Sequence, residues 1–369
     1  MQFSFAMPTK IYFEPECVRN HAQDMTAYGK KAILLTGRHS AKACGALDDV
    51  AAALDTTGIA YCIYDGIENN PSVETAVEAA GMAIEFGADF VVGIGGGSPL
   101  DAAKAVAVLA VNPGMEPLDI FKNAFTKALP VAAVPTTAGT GSEVTPYGVL
   151  VRNDLQTKLA FASPLVLPRC ALLDVKYTMS LGKDVTINTA VDAFSHALEG
   201  YLGNRSTAIA DCLALEALEA FGSCVDQLIN GAFDVQTREK LLYASLLGGI
   251  VLSLVGVTAV HGMGYCYTYY KDIPHGRANG LLMSEYLRYC EHFRKDKIDK
   301  ALCRMGITDI DAFEQVMTAL VGESPALSSQ EIDQYTQQSL LQKGTLANTA
   351  GAITEQQIKA LWSKVGKRD

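Results

Sequence analysis

Between residues 31 and 111, short apolar runs alternate with longer amphipathic ones, and this alternation restricts the fold more than any other feature of the chain. Strands that are apolar on both faces need helices to cover them and to carry the chain back, which means a parallel sheet with crossover connections. The spacing predicts strands at 32–36, 60–64 and 90–94 and helices at 40–54 and 72–86, with a third helix ended by Asn112-Pro113-Gly114. Further strand-like runs follow at 131–135, 148–151, 159–162 and 171–175. Beyond Gly182 the pattern changes to helical stretches at 184–202, 208–228, 237–254 and 284–292. The expected organisation is an α/β nucleotide-binding domain with a mainly parallel sheet over residues 1–178, followed by an all-helical domain over 179–369.

Composition removes several classes of function. With 49% hydrophobic and 19% charged residues, the chain builds a core and is neither disordered nor fibrous. Thirty Lys and Arg against 40 Asp and Glu leave a net charge of −10, which offers no footprint for nucleic acid or an anionic membrane. Nine cysteines fall singly with no CxxC pair, the usage of reduced thiols, so a cytoplasmic location is expected. Pro8, Lys10 and Glu14 interrupt the start too early for a signal-peptide core, and no apolar run reaches the ~20 residues of a membrane span.

Two loops read as anion cradles. Residues 90–98 run a strand into Gly95, Gly96 and Gly97, where missing side chains let backbone N–H groups approach a phosphate at a helix start. Ser98, Pro99 and Asp101 then read as an N-cap, a first helical position and an acidic first turn, so Asp101 caps the helix on this reading. The pattern is not the GxGxxG fingerprint, since Ser98 stands where the third glycine belongs, and a tight turn is the plain alternative. The second loop, 135–143, carries Thr136, Thr137, Thr140 and Ser142, hydroxyls suited to phosphate or ribose oxygens and equally ordinary in turns.

Metal chemistry is indicated further on. Asp192 and His196 stand one helical turn apart and can face one ion, or simply pair with each other. His261 and His275 lie in apolar, glycine-flanked surroundings where an imidazole needs a polar partner. One carboxylate and three imidazoles suit Fe²⁺ or Zn²⁺ better than Mg²⁺ or Ca²⁺.

Four ordered motifs, GGGSPLDAAKA at 95–105, PTTAGTGSEVTPYG at 135–148, AVDAFSHALEGY at 190–201 and HGMGY…IPHGRANG at 261–280, together resemble the iron-containing (group III) alcohol dehydrogenases. The resemblance extends back to PTKIYFE at 8–14 and so spans nearly the whole chain. It implies a dehydroquinate synthase-like architecture and NAD(P) with one metal, Fe²⁺ or, in a purified sample, Zn²⁺. It also implies Asp192, His196, His261 and His275 as ligands, and Gly95, Gly96, Gly97 and Ser98 at the pyrophosphate. Thr136, Thr137, Thr140 and Ser142 would line the nucleotide, with Asn70 and Lys158 near a ribose and Asp101 facing the cofactor.

Two departures matter. Many members carry a histidine four positions after the third ligand as a proton relay, whereas this chain has Tyr265, whose hydroxyl can donate or whose ring can merely pack. Members preferring NAD tend to place an acid just after the first strand, but here Thr36 is followed by Gly37 and Arg38, which favours NADP over NAD. The implied reaction is hydride transfer between nicotinamide C4 and a small primary alcohol or aldehyde. The alternatives are a non-redox lyase or cyclase of the dehydroquinate synthase type, a retired nucleotide-binding scaffold, or a transhydrogenase. The partners implied are a small substrate and further copies of the chain as a homodimer or larger oligomer.

Overall fold

A computed structural model describes residues 3–366, which fall into two compact units, one spanning Ala6–Leu181 and the other made of the residues from Gly182 onward together with the stretch before Ala6. The outer ends of the expected domains, residues 1–2 and 367–369, lie outside the described residues.

The first unit is built on eight strands: β1 (Lys10–Phe13), β2 (Lys31–Thr36), β3 (Ala60–Tyr64), β4 (Phe90–Gly95), β5 (Val131–Pro135), β6 (Tyr147–Arg152), β7 (Thr157–Ala162) and β8 (Cys170–Leu173). Six form one sheet in the order β1-β8-β5-β4-β2-β3 with every pairing parallel, while β6 and β7 make a separate antiparallel hairpin. Alternation along the strands divides the core between the two faces: Leu34, Val92 and Ala132 join one buried cluster, and Ile33, Leu35, Val91 and Val131 the other. Central β4 and β5 are buried along their whole length, which is why their sequences read as unbroken apolar runs.

Local punctuation accounts for the differences from the sequence reading. Residues 10–13, left unassigned by the periodicity, form edge strand β1, too short and too exposed to carry an apolar signature. The helix expected over 40–54 is broken at Gly45, whose φ of 82° ends a first turn before helix α1 (Ala46–Thr57) begins. Helix α2 (Val73–Phe86) starts on Ser72, whose hydroxyl accepts the Thr75 N–H. Helix α3 (Gly97–Leu109) starts earlier than expected: Gly96 is its cap, so Ser98 is not the N-cap, Pro99 is not the first helical residue, and Asp101 makes no capping bond.

Winding direction fixes where a ligand can sit. From β2 the chain moves outward to β3, whereas from β4 it moves the other way to β5, so the carboxyl ends of β2 and β4 flank the reversal point. Open α/β sheets bind ligands at such switch points. In register, Thr36 lies opposite Ile94 and Gly95 opposite Pro135, which sets the loops after β2, β4 and β5 side by side.

From Gly182 the described residues contain no strand. Helices α4 (Lys183–Leu202), α5 (Ala208–Gly222), α6 (Val235–Val255), α7 (Ala259–Lys271) and α8 (His275–Arg304) pack together, α8 bending at Arg294. The single helix expected over 208–228 is two, because the chain leaves α5 at Ser223 and begins again at Val225. Among the described residues no single helix is long and apolar enough to cross a membrane.

Candidate metal centre and nucleotide loops

The two small-residue loops interlock. A Cβ on Gly97 would stand 2.6 Å from Thr140 Cγ2, too close without a shift, and one on Gly96 3.1 Å from Thr137 Oγ1, a tight contact, so the missing side chains let the loop after β4 lie against the loop after β5. The backbones join as well, the Thr136 N–H donating to the Gly95 carbonyl at 2.9 Å. Thr136 keeps a buried hydroxyl that makes no hydrogen bond. On the other side Ser98 Oγ accepts the Asn70 N–H at 3.0 Å, and Lys158 donates to Asn70 Oδ1 at 2.6 Å, so these three residues form one chain of contacts. Gly37 and Arg38 follow β2 directly, with Arg38 exposed.

Beneath the loops lies a buried polar cluster that sequence reasoning missed. The Asp101 carboxylate accepts the Ser142 hydroxyl at 2.6 Å and the Val149 N–H at 3.1 Å, tying α3 to the loop after β5 and to β6. Lys104, wholly buried, donates to Ser142 Oγ at 2.7 Å, Thr145 Oγ1 at 3.1 Å and the Tyr147 carbonyl at 2.6 Å, with Asp101 3.7 Å away. Burial pushes Lys104 down to about 8 and the neighbouring Glu143 carboxyl up to about 7. Burial also raises Asp101, opposed by Lys104 and its hydrogen bonds. The i, i+3 spacing of Asp101 and Lys104 was the available signal.

In the helical unit, α4 presents Asp192 and His196 one turn apart, α7 presents His261 in its first turn, and α8 opens on His275. Donor atoms of Asp192, His261 and His275 all lie within 4.8 Å of one another. His196 adjoins this triangle through its ring, stacked on that of His261 with centroids 4.6 Å apart. The Tyr265 ring stacks in turn on His275 at 5.0 Å.

Two further residues hold the triangle. Glu199, fully buried, hydrogen-bonds His261 Nδ1 and leaves Nε2 facing Asp192 Oδ1 at 3.7 Å. Burial opposes protonation of His261, and the charge and hydrogen bond of Glu199, aided by Asp192, outweigh it, so its pKa is raised. Asn279, also fully buried, places its Nδ2 3.2 Å from Asp192 Oδ1, 3.3 Å from His261 Nε2 and 3.4 Å from His275 Nε2. Three lone-pair donors therefore converge on one N–H donor, while the Asn279 oxygen has no hydrogen-bond partner. A donor set of this kind, a carboxylate and imidazoles around one electropositive point, is what a borderline divalent cation takes. Glu199 and Asn279 were not among the residues expected from the sequence; the available signal was their spacing, seven residues after Asp192 and four after His275, which puts each on its ligand's helical face.

Two family models match: iron-containing alcohol dehydrogenase over residues 8–175 and the C-terminal region of the Fe-containing alcohol dehydrogenase family over 186–365. Lactaldehyde reductase of Escherichia coli is 31% identical over 281 residues, 75% of this chain and 73% of that protein. 1,3-Propanediol dehydrogenase of Klebsiella pneumoniae is 29% identical over 330 residues, 86% of this chain and 84% of that protein. The crystal structure of an iron-containing alcohol dehydrogenase from Thermotoga maritima superimposes with a TM-score of 0.92 at 35% identity, covering 99% of both chains.

Proposed function

The chain belongs to the iron-containing alcohol dehydrogenase family and is an oxidoreductase acting on alcohols and aldehydes, and from that premise we propose that it reduces small aldehydes, and oxidises the matching primary alcohols, with NADPH/NADP as its preferred nucleotide. The observation that carries the metal assignment is the convergence of Asp192, His261 and His275 on one point. Those three, with His196, would hold a single divalent ion, iron in the cell and zinc where zinc replaces it. When bound, such an ion would supply Lewis-acid polarisation of a substrate oxygen, and a nicotinamide would supply or accept the hydride.

The chain's own residues do the rest. Gly95, Gly96, Gly97 and Ser98, with the N–H groups of the α3 start, would take the pyrophosphate. Thr136, Thr137, Thr140 and Ser142 would line the nucleotide, and Asn70 and Lys158, already hydrogen-bonded to each other, would take a ribose. Asp101 acts here as a positioning residue, since both its oxygens already accept hydrogen bonds from within the fold.

Tyr265 is the candidate proton relay, its ring held against His275. Tyr265→Phe keeps the stacking and removes the hydroxyl, so kcat should fall roughly 10²-fold with metal content unchanged. An unaltered kcat, measured beside metal analysis, would assign the relay elsewhere. Nucleotide preference rests on Arg38, exposed directly after β2 with no acid between Thr36 and Ser40. Arg38→Ala should lower kcat/KM for NADPH about tenfold and leave NADH within twofold, the size of one charge-assisted contact. Equal losses with both nucleotides would reject the 2′-phosphate assignment.

Steady-state assays at 340 nm over a panel of short aldehydes, with both nucleotides and defined metal, test the proposal as a whole. Turnover without net nucleotide oxidation would overturn it in favour of lyase chemistry. All nine cysteines are free thiols, in keeping with a reducing compartment such as the cytosol. Assembly into a homodimer or larger homo-oligomer, supported by the family and by the apolar helices, is read by light scattering.

A further inference from the structure

We propose that Glu199 is the positioning residue of the metal centre, fixing which nitrogen of His261 faces the ion. The inference rests on the metal assignment above.

Glu199 has no exposed surface, and a buried carboxylate is tolerated only when its oxygens are matched. Both are. One oxygen bonds His261 Nδ1. The other accepts the Thr258 N–H at 2.8 Å and the Thr258 hydroxyl at 2.6 Å, with the His261 N–H at 3.4 Å. An imidazole nitrogen held by an acceptor carries the proton, so the opposite nitrogen keeps its lone pair. Here the opposite nitrogen is Nε2, the atom in the donor triangle. The same carboxylate lies against the first turn of α7, where exposed N–H groups and the helix dipole favour a negative charge. One side chain on α4, the helix of Asp192 and His196, therefore sets both the position and the tautomer of the ligand on α7.

Glutamine cannot reproduce this: if its oxygen accepts from His261, its amide N–H₂ faces the Thr258 N–H, and if it is turned over, it faces Nδ1–H.

The test uses the full chain, stripped of metal and titrated with Zn²⁺ against a competing chelator. Glu199→Gln should weaken zinc binding about 10- to 100-fold, the usual cost of losing an outer hydrogen-bond partner of a metal ligand. The metal-free protein should melt somewhat lower, because one amide donor is left facing another in a buried site, while the affinity for NADPH should remain near the parent value, which a general loss of fold would not allow. A metal-free Glu199→Gln that folds and binds zinc as tightly as the parent overturns the proposal. Should that variant not fold, Thr258→Val decides: it keeps the charge but removes one bond orienting it, and about fivefold weaker zinc binding supports the role while unchanged binding refutes it. A parent protein that takes up no zinc at all would instead overturn the metal assignment itself, and this inference with it.

Discussion

Replacing His261 with alanine should empty the metal centre and cut turnover by about 10³-fold or more, with NADPH affinity retained within about twofold. His261 supplies one of three converging donor atoms, and its loss also leaves the fully buried Glu199 without its partner on one oxygen. A buried carboxylate oxygen left without its hydrogen bond costs about 1–3 kcal/mol, so a lower melting temperature should accompany the loss of metal. The nucleotide loops are built entirely within the Ala6–Leu181 unit, which is why their affinity should survive. Metal analysis, calorimetric titration with NADPH and the 340 nm assay separate the three effects. A His261→Ala protein that retains stoichiometric metal and the parent rate would falsify the ligand assignment.

The second large effect is expected at Gly276, the residue after His275. A Cβ there would lie 1.8 Å from the Asn188 carbonyl oxygen, 2.8 Å from Asp192 Cβ and 2.9 Å from the Asp192 backbone nitrogen. The start of α8 thus runs directly onto the backbone of α4 at the point where α4 carries its carboxylate ligand. Two helices in such contact have no flexible side chain to yield, so Gly276→Ala must push them apart by more than an ångström. Overpacking of a rigid contact costs about 3 kcal/mol or more, roughly 6–12 °C in melting temperature for a unit of this size. The same displacement separates His275 from Asp192, so metal affinity should fall at least tenfold, since ligand geometry must hold to within a few tenths of an ångström. A thermal melt together with a zinc titration checks both, and a variant matching the parent in each would show that α8 does not need this approach.

How much of this was legible beforehand depends on distance along the chain. The runs at 32–36, 60–64, 90–94 and 131–135 are mainly apolar, so periodicity alone located the strands to within a residue and pointed to a parallel sheet. Edge strand β1 escaped because four half-exposed residues carry no such pattern. Asp192 and His196 were visible because one helical turn brings them together whatever else the protein does. His261 and His275 were visible as rare imidazoles in apolar, glycine-flanked surroundings. The roles of both pairs came from a resemblance between motifs, not from geometry.

What the chain alone determined is its local order: which segments are strands or helices, where glycine permits a turn, and which residue types capable of holding a metal recur at helical spacing. These follow from interactions within a few residues of one another. The meeting of Asp192, His261 and His275 around Asn279, the grip of Glu199 on His261, and the Asp101–Ser142–Lys104 tie under the glycine loop were decided only by the fold. Each joins side chains tens of residues apart, and a periodic pattern says which face a residue occupies but not which distant face it will meet. The reversal of winding between β2 and β4 belongs to the same class, because the order of strands in a sheet is chosen by packing and not by the strands themselves.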